Sequence, residues 1–333
     1  MRLGLYVDLR NPPGWRRPWP ELYETTLRRI ERAEELGLGS VWLTEHHLFA
    51  DGYLPQPLTF AAAIAARTER IRIGTSVLLA PLRRAADIAE QAAVVDITSG
   101  GRLELGLGAG YRVPEFELYG ADVARRYEAL EARARELREL WAEGRVTPPP
   151  VQAEVPLWIG ALGPRGARIA GRLGAGLLSL RTDLLAPYRE ALATLDDPPP
   201  PRCAGPVPLL VSDDPEATWE RVKPYLEYQQ RTYRDYGAEG RPGAPAGGGP
   251  VDVEAIRSSG PEMPMTTFDV VEPAEAVRRL RAWLAGSPAE HAYFWESVAG
   301  MPDDIAERHL ELLATEVAPA LASRRENVQH QPL

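Results

Sequence analysis

The feature that most constrains this chain is a rhythm. Short apolar runs recur along it, and each is followed by a stretch whose apolar residues fall at helical spacing. Leu3–Val7 is the first run. It is followed by Leu22–Gly37, in which Leu22, Thr26, Ile30, Ala33 and Leu36 share one helix face and Gly37 supplies the stop. Ser40–Leu43, Ile71–Val77, Leu103–Leu107, Val155–Ile159, Gly176–Leu180, Val207–Val211 and Ala292–Trp295 read as further strands. Helices are expected over Leu58–Arg67, Ala85–Ile97, Tyr127–Trp141, Gly166–Leu173, Leu184–Leu195, Glu216–Tyr236 and from Pro302 to Leu321. Apolar strands separated by helices belong to a parallel sheet covered on its outer face. Eight such units in 333 residues favour an α/β fold closed as a (β/α)8 TIM barrel, one domain over 1–333, rather than an open sheet.

Two segments break the pattern. The proline-rich stretch Asp196–Pro206 is expected to be a surface loop. Gly237–Pro264, rich in Gly and Pro, reads as an insertion late in the chain, either a lid or a segment without fixed structure.

Composition narrows the function. A net charge of −9 gives no basic face for a phosphate backbone, so nucleic acid is not an expected partner. A single cysteine, Cys203, rules out a disulfide framework and a cysteine-built metal site. No apolar run reaches the roughly 18 residues of a membrane span. MRLGLYVDLR reads as a strand rather than a signal peptide, so a cytoplasmic setting is expected.

In a barrel of this type the chemistry lies at the carboxyl ends of the strands. After the second strand comes Thr44-Glu45-His46-His47. Neighbouring residues there point in different directions, so at most one histidine needs to face a pocket. Imidazole suits a hydrogen-bond donor or a general acid/base, whereas packing against a loop and capping a helix is the plainer role for such a pair. No third ligand stands at metal spacing. After the third strand, Gly74-Thr75-Ser76-Val77 suits close approach of backbone to a planar ligand, although on pattern alone a plain buried strand explains it better. Gly106-Leu107-Gly108-Ala109-Gly110-Tyr111 permits close approach too, but lacks the dinucleotide-binding spacing. Gly160-Ala161-Leu162-Gly163-Pro164-Arg165-Gly166 leads into a helix whose N-terminus could hold a phosphate, or is an ordinary turn.

Several of these pieces together are familiar. AEELGLGSVWLTEHH, RIRIGTSVLLAPL, AEQAAVVDITSGGRLELGLGAGY and EFELYG, with GALGPRGARIAGRLGAG further on, resemble the luciferase-like monooxygenase family. That family joins bacterial luciferase to flavin-dependent monooxygenases and to reductases using the deazaflavin coenzyme F420. The resemblance implies a flavin-class ring beside His46 or His47. Glu45 is a candidate acid, and equally a structural partner for an arginine. Ser76–Val77 would support the ring, often through a non-proline cis peptide. Gly108, Ala109, Gly110 and Tyr111 would pass along it, and Gly160, Gly163, Pro164 and Arg165 would hold its phosphate. Tyr53, Tyr111, Phe116, Phe294 and Trp295 are candidate pocket walls, each equally at home in a core. Bacterial luciferase has a cysteine and an arginine where this chain has Gly108 and Ala109, so light emission is not implied.

Two reactions follow from the resemblance. Reduced FMN from a partner flavin reductase would react with dioxygen and oxygenate a small organic substrate. Alternatively, reduced coenzyme F420 would pass hydride to a carbonyl or unsaturated substrate. A non-catalytic flavin-binding barrel is the third possibility, and relatives lead us to expect a homodimer through helices near the second and third strands.

Overall fold

The computed structural model describes residues 1–239, 251–257 and 267–323. Eight parallel strands form the barrel: β1 (Arg2–Val7), β2 (Ser40–Leu43), β3 (Arg72–Thr75), β4 (Leu103–Gly108), β5 (Leu157–Gly160), β6 (Gly176–Leu178), β7 (Cys203–Val207) and β8 (Ala289–Trp295). β1 lies between β8 and β2, with Leu5 opposite Phe294 on one side and Val41 on the other. The ring is continuous because β3 also pairs with β4, Ile73 opposite Leu103. Helices Trp19–Glu35, Pro57–Arg67, Ala85–Ser99, Arg126–Ala142, Pro164–Arg172 and Leu185–Leu192 connect the strands. Val7, Val41, Ile73, Leu105, Ile159 and Leu177 are fully buried in the main core. Each such side chain contributes about 1.5–3 kcal/mol on leaving water.

The interior of the barrel is filled with rings. Trp42 stacks on Tyr293 at 5.0 Å and meets Trp158 edge-on at 5.8 Å, with His291 at 5.3 Å from Trp42. Glycines make this possible: a Cβ on Gly74 would lie 2.3 Å from the Trp42 ring and one on Gly176 2.2 Å from Trp158. Large rings on one strand therefore require small residues on its neighbour.

The structure corrects the sequence reading late in the chain. The seventh barrel strand is Cys203–Val207, of which Cys203–Pro206 falls in the stretch expected to be a loop. Of the expected strand Val207–Val211, the part Leu209–Val211 instead pairs outside the barrel with Asp269–Val271. Prolines at 206 and 208 bracket the change of direction, and proline in a strand argues locally for a loop. Three described helices were not anticipated, Val113–Tyr119, Val253–Ile256 and Pro273–Trp283; the last precedes β8. The third strand stops at Thr75, and Leu78–Leu79 pairs again with β4. Within the expected insertion, Gly237 and Ala238 end the helix Pro215–Ala238, and Val253–Ile256 is a short helix. The lid or structureless alternative for the rest of that segment lies outside the described residues.

Candidate active site

β2 delivers Glu45, His46 and His47 to the strand-end face, and the pleat separates them. His46 turns inward. Its Nδ1 lies 2.8 Å from Glu115 Oε1, and a carboxylate only accepts, so in the neutral imidazole the ring proton sits on Nδ1. Nε2 is then left as an acceptor, 3.3 Å from the Tyr111 hydroxyl. The ring stacks on Phe49 at 4.8 Å and meets Tyr53 edge-on at 4.8 Å. Glu115 is completely buried and also accepts the His47 backbone N–H at 2.9 Å.

His47 turns the other way. Its Nε2 lies 2.7 Å from Glu45 Oε1, and its Nδ1 lies 3.4 Å from the Tyr119 hydroxyl. Glu45 also takes Arg83 Nη1 at 2.6 Å and the Leu79 N–H at 2.7 Å. The side chains of Glu45, His47 and Arg83 are buried, so Glu45 binds structure on several sides while His47 is kept from the cavity.

The Ser76–Val77 peptide is cis. The carbonyl of Ser76 accepts from the Tyr6 hydroxyl at 2.9 Å, and its Oγ is 2.7 Å from the Tyr293 hydroxyl. Val77 packs where β4 and β5 have glycine: a Cβ on Gly108 would lie 2.1 Å from Val77 Cγ2, and one on Gly160 2.6 Å from Cγ1. Burial pushes the Tyr6 and Tyr293 hydroxyls far above their ordinary range, so both stay protonated donors.

These elements surround a cavity of about 240 Å³ at the strand ends. Of the residues expected at the site, Glu45, His46, Ser76, Val77, Gly108, Ala109, Gly110, Tyr111 and Gly160 line it. Gly163, Pro164 and Arg165 do not; Arg165 is exposed and lies over the Tyr127 ring at 4.4 Å. Tyr53 and Trp295 are part of the wall, whereas Phe116 and Phe294 belong to the core.

Sequence reasoning missed Glu115, Arg126, Ser179, Arg181 and Tyr233. Glu115 was visible only inside the EFELYG match, with nothing local to mark it. Arg126, Ser179 and Arg181 line the cavity. Arg126 Nε is buried without a hydrogen-bond partner among the described residues, which suits an anionic group such as a cofactor phosphate. Tyr53 and Tyr233 share a hydroxyl–hydroxyl contact of 2.9 Å. Behind them Arg10 sits against both rings, at 5.5 and 5.0 Å, and bonds Asp51 at 2.7 Å. Nearby Asp8 is raised to about 7 by burial, against the opposing pull of Arg10. Among the described residues no group of side chains could hold a metal, and no helix is long and apolar enough to cross a membrane.

Comparison with known proteins finds relatives in sequence and in fold. The F420-dependent glucose-6-phosphate dehydrogenase of Amycolatopsis mediterranei is 35% identical over 184 residues, 47% of this chain and 55% of that one. The oxygenase component of the flavin-dependent trigonelline monooxygenase of Acinetobacter baylyi is 25% identical over 193 residues, 53% of each chain. The chain thus spans about half the length of the curated relatives it matches. In overall fold it is similar to the monooxygenase RslO1 of Streptomyces bottropensis, with a TM-score of 0.78 at 22% identity over 97% of this chain and 100% of the other. The family model described as luciferase-like monooxygenase matches residues 1–311, and the chain belongs to that family of oxidoreductases.

Proposed function

We propose that this chain is the oxygenase of a flavin-dependent pair, taking reduced FMN from a separate reductase and using dioxygen to oxygenate a small organic substrate. The observation that carries this reading is the cavity at the strand ends, walled by aromatic and aliphatic side chains, into which His46 presents Nε2. Bound reduced FMN would supply the electrons for oxygen chemistry. The protein's part is to exclude water, to hold and to move protons. Tyr53, Tyr233 and Trp295 keep the wall dry. Ser76–Val77 and Gly108–Tyr111 provide edges for a planar ring, and Arg126 with Ser179 and Arg181 would hold its phosphate. His46 acts as acid/base, its tautomer set by Glu115.

A second reading is favoured by the 35% identity to an F420-dependent dehydrogenase: the same cavity would take reduced F420, and His46 would handle the proton that accompanies hydride transfer. Anaerobic titration with reduced FMN and reduced F420 separates them. Tight binding of F420 alone overturns the oxygenase reading. We further propose a cytoplasmic setting and a homodimer, the latter supported by exposed Val94 and Ile97 on the helix Ala85–Ser99 that follows the third strand.

A further inference from the structure

We infer that Glu115, His46 and Tyr111 form a proton relay that ends in the cavity at the Tyr111 hydroxyl, and that the substrate it serves is an uncharged molecule carrying a hydroxyl, a phenol above all. The inference rests on the cavity being the substrate site. Three observations lead to it. The carboxylate, imidazole and hydroxyl are bonded in sequence, at 2.8 and 3.3 Å. With the proton on Nδ1, Nε2 of the neutral ring is an acceptor, and among the described residues the hydroxyl it meets is that of Tyr111. Finally, the groups facing His46 are the rings of Phe49, Tyr53, Tyr111 and Tyr233, at 4.8, 4.8, 5.4 and 6.4 Å. The cations closest to these rings, Arg10 and Arg112, lie behind them and do not line the cavity. An aromatic ligand stacks well in such surroundings, and the cations that do line the cavity, Arg126 and Arg181, are assigned above to the cofactor phosphate.

The step is a double proton shift. The ligand O–H bond breaks and its proton passes to Tyr111 Oη. The original Tyr111 proton moves to His46 Nε2, leaving an imidazolium beside the Glu115 carboxylate. The ligand is left as an oxyanion, hydrogen-bonded to Tyr111. Glu115 touches no reacting atom; it is a positioning residue that fixes the tautomer and stabilises the imidazolium, an effect strengthened by low local polarity.

The test uses 4-nitrophenol, whose phenolate has its own absorption band, bound to the full chain without cofactor. Wild-type protein is expected to raise the phenolate-to-phenol ratio of bound probe about tenfold over free probe at the same pH, one pKa unit. Tyr111→Phe and His46→Gln are expected to abolish the shift. Glu115→Gln keeps an acceptor for Nδ1 but removes the charge, and should bind the probe while losing most of the shift. Circular dichroism establishes that each variant is folded, and Tyr111→Phe keeps the wall intact should Glu115→Gln unfold. Failure of wild type to bind or ionise the probe, or an unchanged shift in folded Tyr111→Phe, overturns the relay. Reduced-FMN binding to wild type is measured separately: its absence with the shift intact sinks the cofactor reading and leaves the relay standing.

Discussion

His46 Nδ1 and Glu115 Oε1 lie 2.8 Å apart, across 69 residues of sequence, while the neighbouring His47 gives its Nε2 to Glu45 at 2.7 Å on the opposite side of the same strand end. Two adjacent histidines therefore have separate tasks, and substitution should separate them. His46→Gln should lower turnover by about 100-fold or more while changing Tm little, the usual scale for losing a general acid/base. His47→Gln should do the reverse, lowering Tm with activity per folded molecule largely kept. Equal activity losses in the two variants would sink this division of labour.

Glu45 is held by His47, Arg83 and the Leu79 N–H, with no exposed side-chain surface. Glu45→Ala strands a buried guanidinium and should destabilise the chain by about 3–5 kcal/mol. Urea unfolding measures this. A loss below about 1 kcal/mol would show that water reaches Arg83.

Val77 fits because Gly108 has no side chain. Gly108→Ala is expected to cost about 1–3 kcal/mol through overpacking and to displace Val77 into the cavity. Trimming Val77 to Ala in the same molecule should recover part of that loss. A double-mutant cycle reads the coupling, and strict additivity would contradict the contact.

Acid and base limbs of stability should have identifiable owners. Burial lowers His309 to about 4, so between that pH and its ordinary 6.5 only the unfolded chain takes the proton. Stability from this group is lost as pH falls from 6.5 towards 4. His291, lowered to about 3 by burial and by Arg2, adds in the same direction. Asp8 is opposite: raised to about 7, it holds a proton in the folded state that the unfolded chain has released above 3.8, so stability falls as pH rises from 3.8 to 7. Asp8→Asn removes that limb; unfolding free energies across a pH series should show it flattened, and an unchanged slope would count against a buried, protonated Asp8.

Cys203 is buried, bonded to Ser287 Oγ at 3.2 Å, and its thiol is pushed up to about 11 by burial. Ellman's reagent should find no reactive thiol in native protein near neutral pH and one after unfolding. Rapid native labelling would show that β7 opens.

Where the sequence was legible, the signal was local. Alternating runs identified seven barrel strands to within a few residues, and they placed the glycine turns and the histidine pair at strand ends. The error at β7 was local too: the prolines at 198–201 and 206 made Asp196–Pro206 read as a loop, and the pairing of Cys203–Val207 with β8 is a contact with a strand more than eighty residues on. Pro273–Trp283 went unread because it follows a Gly/Pro-rich stretch that masks the rhythm.

The sequence by itself determined a ring of parallel βα units, and therefore that the chemistry collects at one end, because strand polarity and helix period are properties of short segments. Only tertiary structure decided which histidine faces the cavity, that Glu115 on an unanticipated helix fixes its proton, and that Arg126 rather than Arg165 lines the wall. Those outcomes depend on which polar groups meet once water is excluded. A buried donor or acceptor must find its partner wherever packing brings one, and no period in the sequence records that meeting.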